Sequence, residues 1–245
     1  MNRFFYQTKQ RKDNIVCLEG EAVHHLTRVL RADVGDKIEL CDEHGVCRLA
    51  EITAITRHEV QCILGELLPN NESEVLVDLA FGLLKGEKTD FILQKATELG
   101  VHALLPFISA RTVVRPSKQS DKRQQRWQKI AAAAAAQAKR SYIPKVGSPS
   151  YWPELIQQFT AYDQVILFWE MAAKQSLKDL LSRLKTKSRI LLITGPEGGL
   201  EKAEVETAAA AGAQIATLGP RILRAETAAL TAVALTMYEA DEMRR

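Results

Sequence analysis

The feature that most constrains the fold is an apolar run that breaks into a glycine-rich turn before a helical segment. The run is 190–194, the turn is Gly195–Gly199, and the helical segment is 200–211. In α/β enzymes a buried strand that ends in such a turn is where cofactors bind, because glycines let the backbone approach a ligand closely. A second break of this kind follows, with a predicted strand at 214–218 and Gly219 before another helix. The two turns predict one site at adjacent strand ends.

The chain from residue 73 onward alternates between apolar runs and helical segments. Five apolar runs are predicted as strands: 75–84, 103–108, 164–169, 190–194 and 214–218. Six segments are predicted as helices: 88–99, 123–140, 153–159, 176–184, 200–211 and 225–242. Near-continuous apolar strands joined by helices are typical of a parallel sheet that is covered on both faces. The predicted fold class is therefore α/β, and residues 73–245 form the candidate enzyme domain.

Residues 1–72 have a different pattern, with short alternating runs that predict a small β-barrel. Strands are expected at 36–41, 46–55 and 59–64, joined as hairpins, with a turn at His44-Gly45. A helix is expected at 21–30. Its side chains divide into an apolar face and an exposed basic pair: Ala22, Val23, Leu26, Val29 and Leu30 on the face, Arg28 and Arg31 turned away. The polar run 69–73 predicts a linker between the two domains.

Composition favours a globular protein of the cytoplasm. The chain has 245 residues, of which 46% are apolar, and no apolar run approaches the roughly 20 residues that span a bilayer. The N-terminal residues lack the apolar region of a secretory signal. All four cysteines lie in the first quarter of the chain: Cys17, Cys41, Cys47 and Cys62. Because no two of them have the close spacing of zinc ligands, we expect small buried thiols and no metal.

The net charge of +3 conceals an uneven distribution. Between Arg111 and Lys145 the chain carries ten basic residues and one acidic residue, Asp121. Exposed helices usually mix both signs, so a block of one sign predicts a polyanion partner. Nucleic acid is the preferred interpretation, and a solvated helix face without a partner is the alternative.

Several motifs occur in the order and spacing of one family. They are His24–Arg31, Lys85-Gly86 with Asp90, Gln94–Val101, Arg126-Trp127, Gln137 with Arg140, Thr194–Gly199 and Leu218–Ala228. In these motifs the chain resembles the RsmE family of 16S ribosomal RNA methyltransferases over almost its full length. The two glycine turns are the most specific part of the match, because each is followed or preceded by several further matching residues.

The resemblance implies a reaction, a fold and an assembly. The family methylates N3 of a uridine in the RNA of the small ribosomal subunit and uses S-adenosylmethionine as methyl donor. The implied fold is an N-terminal PUA-like barrel and a C-terminal SPOUT methyltransferase domain with a deep trefoil knot. The implied assembly is a homodimer. Periodicity and composition alone lead only to a parallel α/β sheet.

Matched to this chemistry, the two turns are expected to form the cofactor pocket. Backbone groups of such turns can bind the adenine edge and the ribose, while apolar side chains pack on the base. The expected cofactor-binding residues are Thr194, Gly195, Glu197, Gly198, Gly199, Leu218, Gly219, Ile222, Leu223 and Glu226. A phosphate cradle is not expected, because Pro220 has no N–H and no Walker lysine is present.

Uridine N3 is a weakly acidic imide, which must lose its proton before it attacks the methyl group. Catalysis therefore needs a base or a cation that stabilises the uracil anion. Arg224 follows the second turn and is expected to supply the cation, and Glu197 is expected to be the second catalytic residue. Positioning and electrostatics are the preferred mechanism. For Glu226, a buried ion pair with Arg224 is an equally weighted alternative.

RNA contacts are expected from the basic block and from the first helix. Phosphates are the expected targets, and Gln137 and Arg140 are expected to share one helix face. The expected RNA-binding residues are Arg28, Arg31, Arg111, Arg115, Arg123, Arg126, Gln137, Lys139 and Arg140. Two other functions stay open: methylation of another RNA position, such as a ribose 2′-hydroxyl or guanine N1, and RNA binding or ribosome assembly without catalysis.

Overall fold

The computed structural model describes residues 1–114, 120–171, 177–181, 187–240 and 243. The chain forms two compact units. The N-terminal unit comprises Met1–Glu72 together with Ala135–Ile143, and the C-terminal unit comprises Ser73–Ala134 together with Pro144–Arg245. The segment Ala135–Ile143 therefore belongs to the N-terminal unit, although the residues on both sides of it in the sequence belong to the other unit.

The N-terminal unit is built on one six-stranded sheet. Its strands are β1 (Arg3–Phe5), β2 (Arg11–Lys12), β3 (Ile15–Glu19), β4 (Lys37–Cys41), β5 (Cys47–Ile55) and β6 (Glu59–Leu67). Their order is β1-β4-β5-β6-β3-β2, and only the β1–β4 pair is parallel. The predicted hairpins β4–β5 and β5–β6 are confirmed, whereas the sequence analysis did not predict β1, β2 or β3.

The helix of the N-terminal unit departs from the predicted pattern. It begins as α1 (Glu21–His24) and continues as a π-helix over His25–Leu30. Val23 and Leu26 are buried as expected, but Val29 is 61% exposed, so its predicted burial is wrong. A π-helix advances less per residue than an α-helix, and the change of winding turns Val29 out of the apolar face. Arg28 and Arg31 are exposed, as predicted.

The cysteines differ from the prediction of four separate thiols. Cys41 and Cys47 form a disulfide, because the β4–β5 hairpin sets them opposite each other with their Cα atoms 4.0 Å apart. Cys62 is a buried thiol whose pKa burial raises to about 12, and Cys17 is a half-buried thiol. Within the described residues, no group of three or more His, Cys, Asp or Glu side chains is arranged to hold a metal ion.

The C-terminal unit contains an entirely parallel sheet, as predicted. Its strands are β7 (Leu76–Gly82), β8 (Ala103–Ile108), β9 (Lys145–Val146), β10 (Ser150–Tyr151), β11 (Gln164–Phe168), β12 (Arg189–Thr194) and β13 (Gln214–Ala216). The order is β10-β8-β7-β12-β11-β13, and β9 pairs with β8. The central strands β7 and β12 are buried along almost their whole length, which explains why they are continuous apolar runs rather than alternating ones.

Helices cover the sheet of the C-terminal unit. They are α2 (Lys88–Glu98), α3 (Ser120–Gln137), α4 (Trp152–Gln157), α5 (Leu177–Leu181), α6 (Lys202–Ala210) and α7 (Ala225–Glu239), and the last three residues of α3 belong to the N-terminal unit. Helices α2 and α7 pack against each other. Among the described residues, no helix has the length and apolar character needed to cross a membrane.

Helix α3 ends earlier than predicted. A helix to Arg140 was predicted from the sequence, but α3 ends at Gln137, and Lys139 adopts a left-handed conformation with φ of 57°. A residue in this conformation ends a helix, because the chain can no longer continue the right-handed turn. Gln137 and Arg140 therefore do not share a helix face, and that prediction is wrong.

A buried carboxylate lies near the amino end of β7. Asp78 is fully buried, and His102 Nδ1 lies 2.9 Å from its Oδ1. The Tyr162 hydroxyl and the Arg189 guanidinium both donate to Asp78 Oδ2 at 2.8 Å. Burial acts to raise the pKa of Asp78, but the hydrogen bonds from these three side chains outweigh it and hold that pKa below its ordinary value.

Candidate active site

The candidate site lies where three parallel strands end side by side. Thr194 at the end of β12 is in register with Phe168 at the end of β11, and Phe168 is in register with Ala216 at the end of β13. The segments that follow these residues therefore leave the sheet at one edge. Together they enclose a cavity of about 490 Å³. A cavity of this size, outside the carboxyl ends of parallel strands, suits a cofactor or a small ligand.

The first glycine turn, Gly195–Gly199, forms one wall of the cavity and is closely packed on its outer side. A Cβ atom on Gly82, at the end of β7, would lie 2.4 Å from the backbone nitrogen of Pro196. A Cβ atom on Gly198 would lie 2.9 Å from Cβ of Arg111 and 3.0 Å from its carbonyl oxygen. Both glycines are thus required by the close approach of neighbouring backbone, as in other turns where a chain passes near a ligand.

The second turn, Thr217–Arg224, forms the opposite wall. Gly219 has φ of 107°, which favours glycine, and its N–H lies 3.3 Å from the Thr217 hydroxyl. Leu218 and Leu223 are half-buried, while Ile222 is 88% exposed at the cavity wall. These apolar side chains provide a surface on which a flat ring can pack.

Most of the residues that the sequence assigned to the cofactor line this one cavity. They are Thr194, Gly195, Glu197, Gly198, Gly199, Leu218, Gly219, Ile222 and Leu223, and the predicted catalytic residue Arg224 lines it too. Glu226, the remaining predicted residue, is not among the lining residues.

The cavity also has lining residues that the sequence analysis did not single out. They include Phe168, the last residue of β11, with Trp169 and Glu170 directly after it, and also Thr217, Arg221, and Lys88 at the start of α2. The register of β11 beside β12 is the signal that could have indicated the first three. Within the described part of the chain, two buried polar atoms of this wall, Thr194 Oγ1 and Trp169 Nε1, have no hydrogen-bond partner. Such atoms suit a polar ligand that supplies the missing partners.

The predicted acidic residues are paired with a lysine and not with Arg224. Lys88 Nζ lies 3.8 Å from Glu197 Oε1 and 3.4 Å from Glu226 Oε2. Glu197 Oε1 also accepts a hydrogen bond from the backbone N–H of Lys85 at 3.1 Å. Arg224 forms no ion pair with any residue that the structure describes, so the alternative of an Arg224–Glu226 pair is wrong. The guanidinium of Arg224 is exposed and available at the cavity.

The predicted RNA-binding residues of the C-terminal unit are mostly exposed but partly engaged. Arg111 donates to the Gly198 carbonyl at 3.3 Å and lies 3.6 Å from Glu201, so it contacts the first glycine turn directly. Arg126 forms an ion pair with Asp90, and Arg123 lies over the ring of Trp127. Arg115 lies outside the described residues. Phosphate contacts from these residues stay a prediction.

In the N-terminal unit, one predicted RNA-binding residue is not presented to a ligand. Arg140 is buried, and its guanidinium donates to the Glu72 carboxylate at distances down to 2.5 Å. Glu72 also accepts from the backbone of Ser141, so the pair fixes the end of segment 135–143. The prediction of a phosphate contact is therefore wrong for Arg140. Lys139 is paired with Glu39 at 3.0 Å, whereas Gln137 is exposed.

Comparison with known proteins places this architecture in a class. A family model for an RNA methyltransferase domain matches residues 71–237, and one for an RNA methyltransferase PUA domain matches residues 18–65. The class is therefore an RNA methyltransferase with an N-terminal PUA domain. Within this class, the chain belongs to the ribosomal RNA small subunit methyltransferase E family.

Relatives and solved structures support the assignment over the full length. The ribosomal RNA small subunit methyltransferase E of Bacillus subtilis (strain 168) is 37% identical over 100% of this chain and 99% of its own. That of Synechocystis sp. is 33% identical over 89% of this chain and 71% of its own. A crystal structure of the Neisseria gonorrhoeae protein, bound to S-adenosyl methionine, is 32% identical with a TM-score of 0.85 and covers 97% of both chains.

Proposed function

We propose that the protein transfers the methyl group of S-adenosylmethionine to N3 of a uridine in the 16S RNA of the small ribosomal subunit. The observation that carries the proposal is the cavity at the carboxyl edge of the sheet, which both glycine turns and Arg224 line together. Membership of the family and the cofactor-bound relative support the same reaction.

The residues of the cavity fit S-adenosylmethionine. Leu218, Ile222 and Leu223 offer apolar surface for the adenine, and the backbone of the two turns offers donors and acceptors for its edge and for the ribose. The unpartnered Thr194 Oγ1 and Trp169 Nε1 add polar groups to the wall. When bound there, the cofactor supplies an electrophilic methyl group on a sulfonium ion.

Arg224 is the residue that we assign to the developing anion. Attack by uridine N3 requires loss of the imide proton, which leaves negative charge on the uracil ring. A cation held at the cavity stabilises this charge more as it develops than in the neutral ring, and such an interaction lowers the barrier. The exposed guanidinium of Arg224, which forms no ion pair with a described residue, meets that requirement. We assign Glu197 to holding the first turn through its contacts with Lys85 and Lys88.

RNA binding is assigned to basic side chains of both units, all of which are exposed except the half-buried Arg123. We propose residues 1–72 as the RNA-binding PUA-like domain and residues 73–245 as the SPOUT domain with its trefoil knot, apart from the segment 135–143, which belongs to the N-terminal unit. Arg28 and Arg31 in the first, and Arg111, Arg123 and Arg126 in the second, are the proposed phosphate contacts. N3 lies on the Watson–Crick edge, so the target uridine must be unpaired when it enters the site. A ribosomal substrate also agrees with a cytoplasmic location.

The most direct test identifies the methylated nucleoside. Small subunits from a strain that lacks this activity are incubated with the protein and labelled S-adenosylmethionine, and their RNA is digested and analysed by mass spectrometry. We expect label in 3-methyluridine. Label in a 2′-O-methylated nucleoside or in 1-methylguanosine would favour another target position. RNA binding without binding of S-adenosylmethionine would favour an assembly protein without catalytic activity.

A glycine substitution tests whether the first turn binds the cofactor. We expect Gly198→Ala to raise the Kd for S-adenosylmethionine about tenfold, because its Cβ would collide with Arg111 and displace the turn. Gly147→Ala is the matched control, since its Cβ would meet ordinary contacts at 3.4 Å or more. Calorimetric titration measures both. Equal affinities for the two variants and the unmodified protein would contradict a cofactor role for this turn.

A homodimer that uses α7 is the assembly that we propose. Helix α7 is apolar around most of its circumference, which is typical of a helix buried on all sides, yet Leu235 and Tyr238 are exposed. We expect Tyr238→Asp to shift the protein from dimer to monomer in light-scattering measurements. Tyr151→Asp is the control, because Tyr151 is equally exposed at 53% against 54% but is the last residue of β10, directly before α4. A monomeric unmodified protein, or an unaffected dimer, would contradict the proposal.

A further inference from the structure

Lys88, the first residue of α2, pairs with two carboxylates, one in the first glycine turn and one in helix α7. Its Nζ lies 3.8 Å from Glu197 Oε1, on the first turn, and 3.4 Å from Glu226 Oε2, in the first turn of α7. The Lys88 side chain is 40% exposed and itself lines the cavity, while that of Glu226 is 15% exposed. One cation therefore stands between two acids that come from different turns.

The two carboxylates depend on Lys88 for compensation of their charge. Glu226 Oε2 is buried and accepts no hydrogen bond from the described residues. No other lysine or arginine in the described part of the chain forms an ion pair with either Glu197 or Glu226. A buried carboxylate without a nearby cation or donor is costly, and two of them close together repel each other. Without Lys88, neither carboxylate would have a cationic partner among the described residues, and Glu197 would keep the hydrogen bond from the backbone N–H of Lys85.

The charge of the cavity affects methyl transfer because the cofactor changes its own charge. In the proposed reaction the bond between sulfur and the methyl carbon breaks, and its electron pair stays on sulfur. The N3 of the uracil, which has released its imide proton to solvent water, forms the new bond to carbon. The sulfonium cation thus becomes a neutral thioether. Uncompensated carboxylates would stabilise the sulfonium more than the transition state, in which its charge is already decreasing, and this would raise the barrier.

We propose that Lys88 sets the electrostatic balance of the cavity: by offsetting one of the two negative charges of Glu197 and Glu226, it keeps the site from holding the sulfonium cofactor too tightly relative to its thioether product. This inference rests on the proposed methyl transfer and goes beyond it. Lys88 is a positioning residue in this account, since it acts through the two carboxylates that join the cofactor turn to α7. Its contribution is a matter of charge, so arginine can replace it and methionine cannot.

The test compares the affinities for S-adenosylmethionine and S-adenosylhomocysteine, which differ by the charge on sulfur. We expect Lys88→Met to favour the sulfonium, which raises the ratio of Kd for the thioether to Kd for the sulfonium about three- to tenfold. We expect kcat to fall about tenfold. Lys88→Arg should retain the ratio of the unmodified protein. In the double variant Lys88→Met with Glu226→Gln, the lost positive charge is matched by a lost negative charge. The ratio of the two Kd values should therefore return most of the way to that of the unmodified protein.

Lys95→Met is the matched control. Lys95 lies on the same helix, is 37% exposed and is paired with Glu98, so its loss removes a similar surface ion pair away from the cavity. If Lys88→Met does not fold, the single variant Glu226→Gln provides the test. It makes the site more positive, so the ratio of Kd for the thioether to Kd for the sulfonium should fall below that of the unmodified protein. The inference would be overturned if Lys88→Met weakened the binding of both ligands equally. It would also be overturned if the ratio of the two Kd values in the double variant stayed at that of Lys88→Met. Failure of the unmodified protein to bind either ligand would instead contradict the proposed function.

Discussion

Replacement of Arg224 by alanine is expected to lower kcat for methyl transfer by about 100- to 1,000-fold. The Kd for S-adenosylmethionine should change by less than about threefold. Arg224 lies at the N-cap of α7, with an exposed guanidinium at the cavity and no ion pair with a described residue. Its proposed partner is the uracil anion, which exists only as the proton leaves, so the loss should appear in kcat rather than in cofactor binding.

Single-turnover kinetics with small subunits, together with calorimetry for the cofactor, measures the two effects separately. Arg224→Lys retains a cation but not the planar fork, and it should recover part of the rate. Lys202→Ala is the control, because Lys202 is 78% exposed on α6 and is paired with the exposed Glu206. If Arg224→Ala raised the Kd for the cofactor by as large a factor as it lowered kcat, this would mean that Arg224 holds the cofactor and does not act on the uracil.

Replacement of Asp78 by alanine should produce the largest loss of stability, about 2–4 kcal/mol in the free energy of unfolding. The carboxylate is fully buried and contacts His102, Tyr162 and Arg189. Removal of one member of a buried pair costs about 3–5 kcal/mol. Here His102 and Arg189 are about one-third exposed, so water can solvate them after the loss, which lowers the cost. Urea denaturation measures the change, with Glu206→Gln as an exposed control expected to be near zero.

The same carboxylate predicts the direction of a pH dependence. Because the pKa of Asp78 is held below its ordinary value in the folded protein, its stabilisation is fully present above the pKa of the unfolded chain. It is lost as the pH falls from about 4 through the lower folded pKa. We therefore expect the free energy of unfolding to fall less steeply with decreasing pH below about 4 in Asp78→Asn than in the unmodified protein. Parallel curves in this window would contradict the assigned ionisation of Asp78.

The parallel sheet could be predicted from the sequence because its strands are buried on both faces. The strands β7, β8, β11 and β12 are therefore apolar runs that stand out from the helices between them. The same reasoning missed β1 and β2, because strands of three and two residues are too short to show a period. The end of α3 was missed for another reason: Lys139 takes a left-handed conformation without the glycine that usually signals it.

The parts of the site in which the backbone conformation requires a particular residue type could be predicted from the sequence. The parts that depend on contacts between residues far apart in the sequence could not. Gly198 and Gly219 are required by a close approach and by a positive φ, so the turns could be recognised from their glycines. Lys88 gives no such signal, because its carboxylate partners are more than a hundred residues away in the sequence. Arg140 appears in the sequence as one more basic residue of the block. The fold shows that it is buried and paired with Glu72.

The measurement that tests the central claim most directly is reverse transcription along the 16S RNA of small subunits treated with the protein. The subunits come from a strain that lacks this activity, and reactions are run with and without S-adenosylmethionine. A methyl group on N3 blocks pairing, so we predict one new stop, at a single uridine, that requires the cofactor and disappears with Arg224→Ala. Methyl incorporation without any stop, or no incorporation into subunits or free RNA, would contradict uridine-N3 methylation at this site.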